Sequence, residues 1–392
     1  MKKVCGMMLA LSLLLSGMAP AFAESGGEAK LLCLNIGKAD CLLLFCGEKC
    51  WLVDAGYEQS YGALETALKE YGVERLDGVF LTHCHKDHSG GLAPLAQSAV
   101  PIDAWYAAAI YYDVKAGQHP AALAAQARGQ EVAWLSAGDV IPAGDGASFT
   151  VLGPVSVDED NENNNSLVLL FASPAGSILL CGDMKEEEEA ELADEGRVSA
   201  CTLMKVGHHG DSAILSKRFL AAARPAAAVI STSTEEEADT PAPSTLRKLK
   251  EIGCDTYVTQ DCHDAILFTL DGGKVTGVDD ITWSSVPPRT EGITMEIDAG
   301  ADTVTLRNTG AEAFPLGGCT LYSNKGDETL ALDGPVLAPG ESWVIGGRKS
   351  EGPVDQTWDE KNVWSKKKRD VGILYDPWGR PVARADNGLD EN

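Results

Sequence analysis

Leu81-Thr-His83-Cys-His85-Lys-Asp87-His88-Ser-Gly-Gly91 packs three histidines and an aspartate into six positions. In an extended segment, side chains at i and i+2 project to the same side, so His83 and His85 are placed to grip one cation together. Asp87 and His88 then face a second. A chance histidine cluster on a surface loop is a poor account, because five of the seven histidines in the chain fall in two clusters, here and at His208-His209. Cys84, alternating with the ligands, should point away.

The surroundings place both clusters at strand ends. Val79, Phe80 and Leu81 precede the first, Met204 and Val206 precede the second, and each cluster ends in glycine. Two further apolar runs end in a carboxylate: Cys50-Trp-Leu-Val-Asp54-Ala-Gly56 and Ser177-Ile-Leu-Leu-Cys-Gly-Asp183. Four strands therefore deliver polar residues at their ends.

These motifs resemble the metallo-β-lactamase superfamily, whose His-x-His-x-Asp-His motif stands here at His83 to His88. Within it the chain is similar to the metallo-hydrolase domain of the ComEC/Rec2 competence proteins. Asn163-Asn-Asn-Ser166-Leu-Val-Leu, Leu179-Leu-Cys-Gly-Asp183 and Lys205-Val-Gly-His-His-Gly210 stand in that family's order, and the likeness runs from about Lys30 to about Leu270. It implies an α/β fold, two mixed sheets sandwiched between helices (αββα), and two divalent metal ions, zinc or manganese. His83 and His85 would bind the first; Asp87 and His88 the second. Asp183 would bridge, and His208 would complete the second site, with His209 as the fallback. Asp87, Asp183 and His209 are the residues expected to carry the catalysis.

The chain departs from the pattern in two places. Many relatives have a further histidine between the first motif and the bridging aspartate; only His119 lies there, in an alanine-rich stretch, and an asparagine run stands instead. Asn164 or Asn165 is a candidate to give an amide oxygen to the first ion or to orient a bridging water. Ala242-Pro243 replaces a His-Pro pair. Asp54 is expected to orient a ligand histidine through its other ring nitrogen, or else to form a turn. Lys205 is a candidate phosphate contact or an ordinary surface lysine, and His263 a structural residue.

Two ions about 3.5–4 Å apart, bridged by hydroxide, suit phosphodiester hydrolysis, since both offset charge developing on phosphorus. The expected activity is that of a phosphodiesterase or DNase. Hydrolysis of a lactone, β-lactam or nucleotide is the alternative, as is a surface binding protein with an inactive hydrolase fold. Charge constrains the substrate. Lys plus Arg number 32 against 58 Asp plus Glu, a formal net charge of −26. Such a surface gains nothing from the counterion release that drives binding to long DNA. Lys366-Lys-Lys-Arg369 is the one basic cluster, a phosphate contact or a solvated loop.

Lys2-Lys3, the apolar stretch from Leu9 to Leu15 and Ala21-Phe22-Ala23 read as an export signal over 1–23, cleaved after Ala23, which implies a secreted, extracellular protein without a transmembrane segment. Ten cysteines follow it. Cys33, Cys84, Cys181 and Cys201 lie in apolar runs as free thiols, whereas Cys41, Cys46 and Cys50, and Cys254 with Cys262, are disulfide candidates. The domains are a hydrolase over 24–275, a linker over 276–290 and a second domain over 291–389. Short β segments with glycine-rich turns make that second domain an immunoglobulin-like β-sandwich, and it resembles a lamin-tail module with a cell-surface or nucleic-acid ligand.

Overall fold

The computed structural model describes residues 27–115 and 117–389; the expected export signal lies outside them. The strands Ala29–Leu34 and Cys41–Cys46 are buried along almost their whole length. Runs this apolar need cover on both faces. Alternate residues supply two cores: Leu31, Cys33, Leu42 and Leu44 face a second sheet, while Leu32, Leu34, Leu43 and Phe45 face helices.

The first sheet has eight strands, ordered Lys274–Ile281, Ala265–Asp271, Ala29–Leu34, Cys41–Cys46, Lys49–Ala55, Gly78–Leu81, Trp105–Ala108 and Val132–Leu135. Its last four strands run parallel. The second has seven: Asp255–Val258, Ala227–Ile230, Leu203–Lys205, Gly176–Leu180, Val168–Ser173, Ala147–Gly153 and Val140–Gly144. Helices Tyr61–Glu70, Leu92–Gln97 and Pro120–Ala127 cover the first sheet. Glu186–Asp194, Lys217–Ala223 and Pro243–Glu251 cover the second. This is the αββα sandwich.

Phe80 joins the two sheets, its ring 4.7 Å from Tyr106 and 4.8 Å from Phe149. No helix among the described residues is long and apolar enough to cross a membrane.

The expected linker over 276–290 is corrected at its start. Asp271-Gly-Gly-Lys274 turns a hairpin, with Gly272 and Gly273 both at positive φ, and Lys274–Ile281 returns as the edge strand of the first sheet. What reads as a domain end is a tight turn. The expected disulfides are absent too: all ten described cysteines are free. Cys46 and Cys50 sit in one hairpin, but Cys46 faces Lys49 and Cys50 faces Phe45.

The second domain is a β-sandwich. A sheet of Ile293–Asp298, Thr303–Asn308, Ser342–Gly347 and Gln356–Trp358 packs on one of Glu328–Ala331, Thr320–Ser323, Val371–Tyr375 and Pro381–Asp386, around Leu306, Leu321, Ile345 and Trp364. Tyr322, Val371, Ile373 and Tyr375 join the core of the first domain instead.

Charge locks the seam between the domains. Arg380 is buried, and its Nε donates to Asp376 Oδ2 at 2.7 Å, its Nη1 to Asp264 Oδ1 at 3.3 Å and its Nη2 to the Pro287 carbonyl at 3.0 Å. Arg369, from the basic cluster, is neither solvated nor free for phosphate: its Nη1 lies 3.2 Å from Glu237 Oε1 and its Nη2 donates to the Glu236 carbonyl at 2.7 Å. Replacing Arg380 leaves two buried carboxylates undercompensated, at roughly 3–5 kcal/mol. Arg380→Ala is expected to lower the thermal midpoint by several degrees in calorimetry; an unchanged midpoint would refute the lock.

Candidate metal centre

The site lies where the parallel strands end. Leu81 leads into Thr82 and His83, Leu180 into Asp183, Lys205 into His208 and His209, and Ile230 into Ser231. His88 is on the one-turn helix Lys86–Ser89, which packs closely against the end of the strand Lys49–Ala55. Gly91 permits that approach, because a Cβ there would collide with the Ala55 carbonyl oxygen.

Asp87, His88, Asp183 and His209 present ligand atoms that all lie within 4.8 Å of one another. His88 Nε2 is 3.2 Å from Asp183 Oδ1 and 3.4 Å from His209 Nε2. His209 Nε2 is 3.2 Å from Asp87 Oδ2 and 3.4 Å from Asp183 Oδ2. On the other side of Asp183, His83 Nε2 lies 3.8 Å from its Oδ2 and 3.0 Å from His85 Nδ1. One carboxylate thus stands between two ligand groups, four residues on one side and three on the other when Asp183 is counted in both.

The outward ring nitrogens decide which lone pairs face inward. His88 Nδ1 donates to Asp54 Oδ2 at 2.7 Å, and His209 Nδ1 to the Ser231 carbonyl at 2.8 Å. His83 Nδ1 donates to Thr82 Oγ1 at 3.2 Å, whose own proton goes to Asp54 Oδ2 at 2.8 Å. Each ring therefore turns its Nε2 toward the cluster, where it can offer a lone pair to a cation or, without one, carry a proton. Carboxylate oxygens and ring nitrogens meeting in a dry pocket repel unless protons or a cation lie between them. The residues fit a divalent metal pair.

Electrostatics say the same. Without a cation, burial pushes the His209 imidazole down, but Asp183 and Asp87 outweigh it and raise it to about 9. Burial likewise opposes protonation of His88, yet Asp183 and Asp54 hold it well above the ordinary histidine range. Burial raises the Asp183 carboxyl, and His209 and His88 more than reverse this. His83 is held well below its usual value by burial and by His88.

The structure separates the two adjacent histidines. His209, the fallback, turns inward; His208 does not reach the cluster. Its Nδ1 lies 2.9 Å from Asp211 Oδ2, and its Nε2 accepts from Asn163 Nδ2 at 3.0 Å. Both histidines adopt positive φ, 40° and 51°, a conformation that costs non-glycine residues roughly 1–3 kcal/mol each. That turn is what swings His209 in.

Asn164 and Asn165 do not face the metal residues either. Asn164 bonds Asp158, Glu187 and the Lys185 N–H, and Asn165 bonds Asp158 and Glu162. Asn163 is the asparagine nearer the site, through His208. Lys205 is neither on the surface nor a phosphate contact: its Nζ is fully buried, 2.8 Å from Asp40 Oδ2 and donating to the Val206 carbonyl at 2.9 Å. Asp54 is buried between Thr82 and His88. His119 lies in an aromatic cage of Tyr111 and Trp134, and burial lowers it to about 4. His263 is exposed beside Asp280.

The sequence reading missed Asp40. Its N–H donates to the Asp87 carbonyl at 3.0 Å and its carboxylate lies between Lys205 and His209. A signal was present, since Asp40 borders an apolar strand as Asp54 and Asp183 do. A larger cavity, about 830 Å³, lies elsewhere along the domain seam beside His263 and Arg289 and holds none of these residues. Donor chemistry, rather than volume, locates the centre.

A family model described as the metallo-beta-lactamase superfamily matches residues 35–234, just over half of the chain. The chain belongs to that superfamily. It is 29% identical over 160 residues to ComE operon protein 3 of Bacillus subtilis, covering 41% of this chain and 20% of that protein. It is 26% identical over 250 residues to competence protein ComA of Neisseria gonorrhoeae, covering 63% and 33%. A third match, 33% identical over 87 residues, is to recombination protein 2 of Haemophilus influenzae and covers 22% and 11%. The chain therefore spans a third or less of these relatives. Fold, family and donor set together define a metal-dependent hydrolase of that superfamily, similar over part of its length to the competence and recombination proteins.

Metal must displace the proton from His209, whose folded-state value is raised. Affinity is therefore expected to climb with pH throughout the range below about 9, with proton release measurable by calorimetry in buffers of different ionisation heat. In metal-free protein the sign is opposite for stability: protonated His209 contributes fully below about 6.5, and the contribution is lost as pH rises through about 9. Asp54→Ala is expected to weaken metal binding about 10–100-fold in chelator competition; unchanged affinity would remove Asp54 from the site.

Proposed function

We propose that the protein is an exported phosphodiesterase that cleaves nucleic acid or short oligonucleotides. The observation carrying this reading is the single carboxylate, Asp183, set between two ligand groups with ring nitrogens turned inward. His83, His85 and Asp183 would hold one ion, and Asp87, His88, His209 and Asp183 the other. A divalent pair there supplies Lewis acidity, activating water and offsetting the charge that builds on phosphoryl oxygens. The relatives named for competence and recombination favour DNA. The net charge of −26 favours short or single-stranded substrates over long duplex.

The protein's own groups divide the remaining work. Asp54 and the Ser231 carbonyl hold the ligand imidazoles in one tautomer. Asp87, the least buried carboxylate of the cluster, borders the substrate side. His208 is partly exposed and braced by Asp211, so that once substrate displaces Asn163 from its Nε2 it would carry a proton there for the leaving oxygen rather than act as a ligand. The chain acts outside the cell, after removal of 1–23.

Residues 24–392 loaded with manganese or zinc are expected to cleave end-labelled DNA, and Asp183→Ala to abolish cleavage. His209→Ala should lose bound metal. His208→Ala should keep its metal but lose about 10²-fold in kcat. Loss of metal in His208→Ala would reverse the two roles; intact DNA under every metal would move the reading to small phosphodiesters or lactones.

A further inference from the structure

The second domain does more than hang from the first. Where its strands Thr320–Ser323 and Val371–Tyr375 approach the hydrolase domain, a cavity of about 350 Å³ opens between the two, within the range of small-ligand pockets, roughly 300–1,000 Å³. Lys38, Tyr57 and Lys86 line one side; Asn324, Lys325 and Arg369 line the other. The cavity is lined by none of the metal residues but adjoins the segments that carry them: Lys86 stands between His85 and Asp87 in the chain, and Lys38 is two residues from Asp40, which is hydrogen-bonded to the Asp87 backbone.

Its carboxylates are already committed. Glu236 accepts from Arg384 and from the Lys38 N–H, Glu237 pairs with Arg369, and Asp370 accepts from Ser323 and from the N–H groups of Lys325 and Ser365. The lysines are less so. Lys86 meets Asp327 at 3.0 Å where both side chains are about half exposed, and Lys38 stands 3.9 Å from Glu237. The exposed Lys86 pair is weak, roughly 0–1 kcal/mol, and yields to a better anion, while the more buried Lys38 pair is near the limit of ion-pair distance. Among the described residues no carboxylate lies within ion-pair distance of Lys325. Burial works against the Lys38 charge, but Asp87, Glu237 and Asp183 more than sustain it. On a chain this acidic, three lysines converging beside the site stand out from the rest of the surface.

We propose that this cavity is an anion subsite in which Lys38 and Lys86 of the hydrolase domain and Lys325 of the second domain hold the phosphate next to the scissile one. The proposal rests on the phosphodiesterase reading for its substrate. It assigns the second domain a wall of the active-site cleft, and it accounts for cleavage of a polyanion by an acidic protein: positive charge is spent only where the chain of phosphates must pass.

The test compares the whole metal-loaded protein with Lys38→Ala and Lys325→Ala on two substrates. Hexathymidylate carries neighbouring phosphates; bis(p-nitrophenyl) phosphate carries one. Each variant is expected to lose about tenfold more kcat/KM on the oligonucleotide than on the single phosphodiester, mainly through KM, and to flatten the salt dependence by about one charge. Equal losses on both substrates, or none, would overturn the subsite. If the wild type cleaves neither substrate, the phosphodiesterase reading fails by itself. The subsite is then decided by calorimetry with inorganic pyrophosphate on metal-free protein: weaker binding in both variants supports it, and equal binding in all three proteins ends it.

Discussion

Crowding of carboxylates and imidazoles that demands positive charge among them, as protons or as a cation, is the constraint on which this structure turns. Asp183, His88 and His209 are pressed together with almost no access to water, and Asp87 closes the cluster on its partly exposed side. The fold tolerates this only because rigid strands meet there. Each ligand follows the end of a strand, or the short helix after one, whose far side is anchored in an apolar core, so the cost of crowding is carried by the packing of Leu81, Leu180 and Met204. A cation turns that cost into binding energy.

Around the cluster, a shell of buried charge sets orientation. Asp54 receives protons from Thr82 and His88, while Asp40 is pinned by Lys205 and stands beside His209. A lysine with no exposure next to the ligands looks like a liability. Its role is to hold the Asp40 carboxylate in place, and through the Asp40 backbone to hold the loop that carries Asp87. The two positive-φ histidines belong to the same arrangement, since backbone strain persists only where neighbours overdetermine it.

The second domain meets the first through an apolar patch of Tyr57, Tyr322 and Tyr375 and a rim of arginine–carboxylate pairs, Arg369 with Glu237 and Arg380 with Asp264. Apolar area fixes the separation of the domains, and the fixed bond directions of the guanidinium groups fix their angle. A hinge would blur the cavity between them. Arg380, buried among two carboxylates and a carbonyl, leaves little freedom for one.

Much of the chemistry was legible in the chain alone. The His83 to His88 spacing, the carboxylates closing apolar runs at Asp54 and Asp183, and the unbroken hydrophobicity of the paired strands are local signals, set by backbone periodicity of two and by the need to bury both faces of a sheet. The second domain's strands were legible for the same reason. What stayed hidden depends on partners distant in sequence. Nothing local distinguishes His208 from His209, because the choice is made by the Ser231 carbonyl and Asp40 on one side and by Asp211 and Asn163 on the other. Lys205 reads as a surface residue until Asp40 is brought beneath it, and Arg369 as a solvated one until Glu236 and Glu237 arrive from the other domain. The sequence by itself determined which donor atoms this protein has and which strands carry them. Only the tertiary structure decided which of them meet, because convergence is a property of packed strands and not of neighbours along the chain.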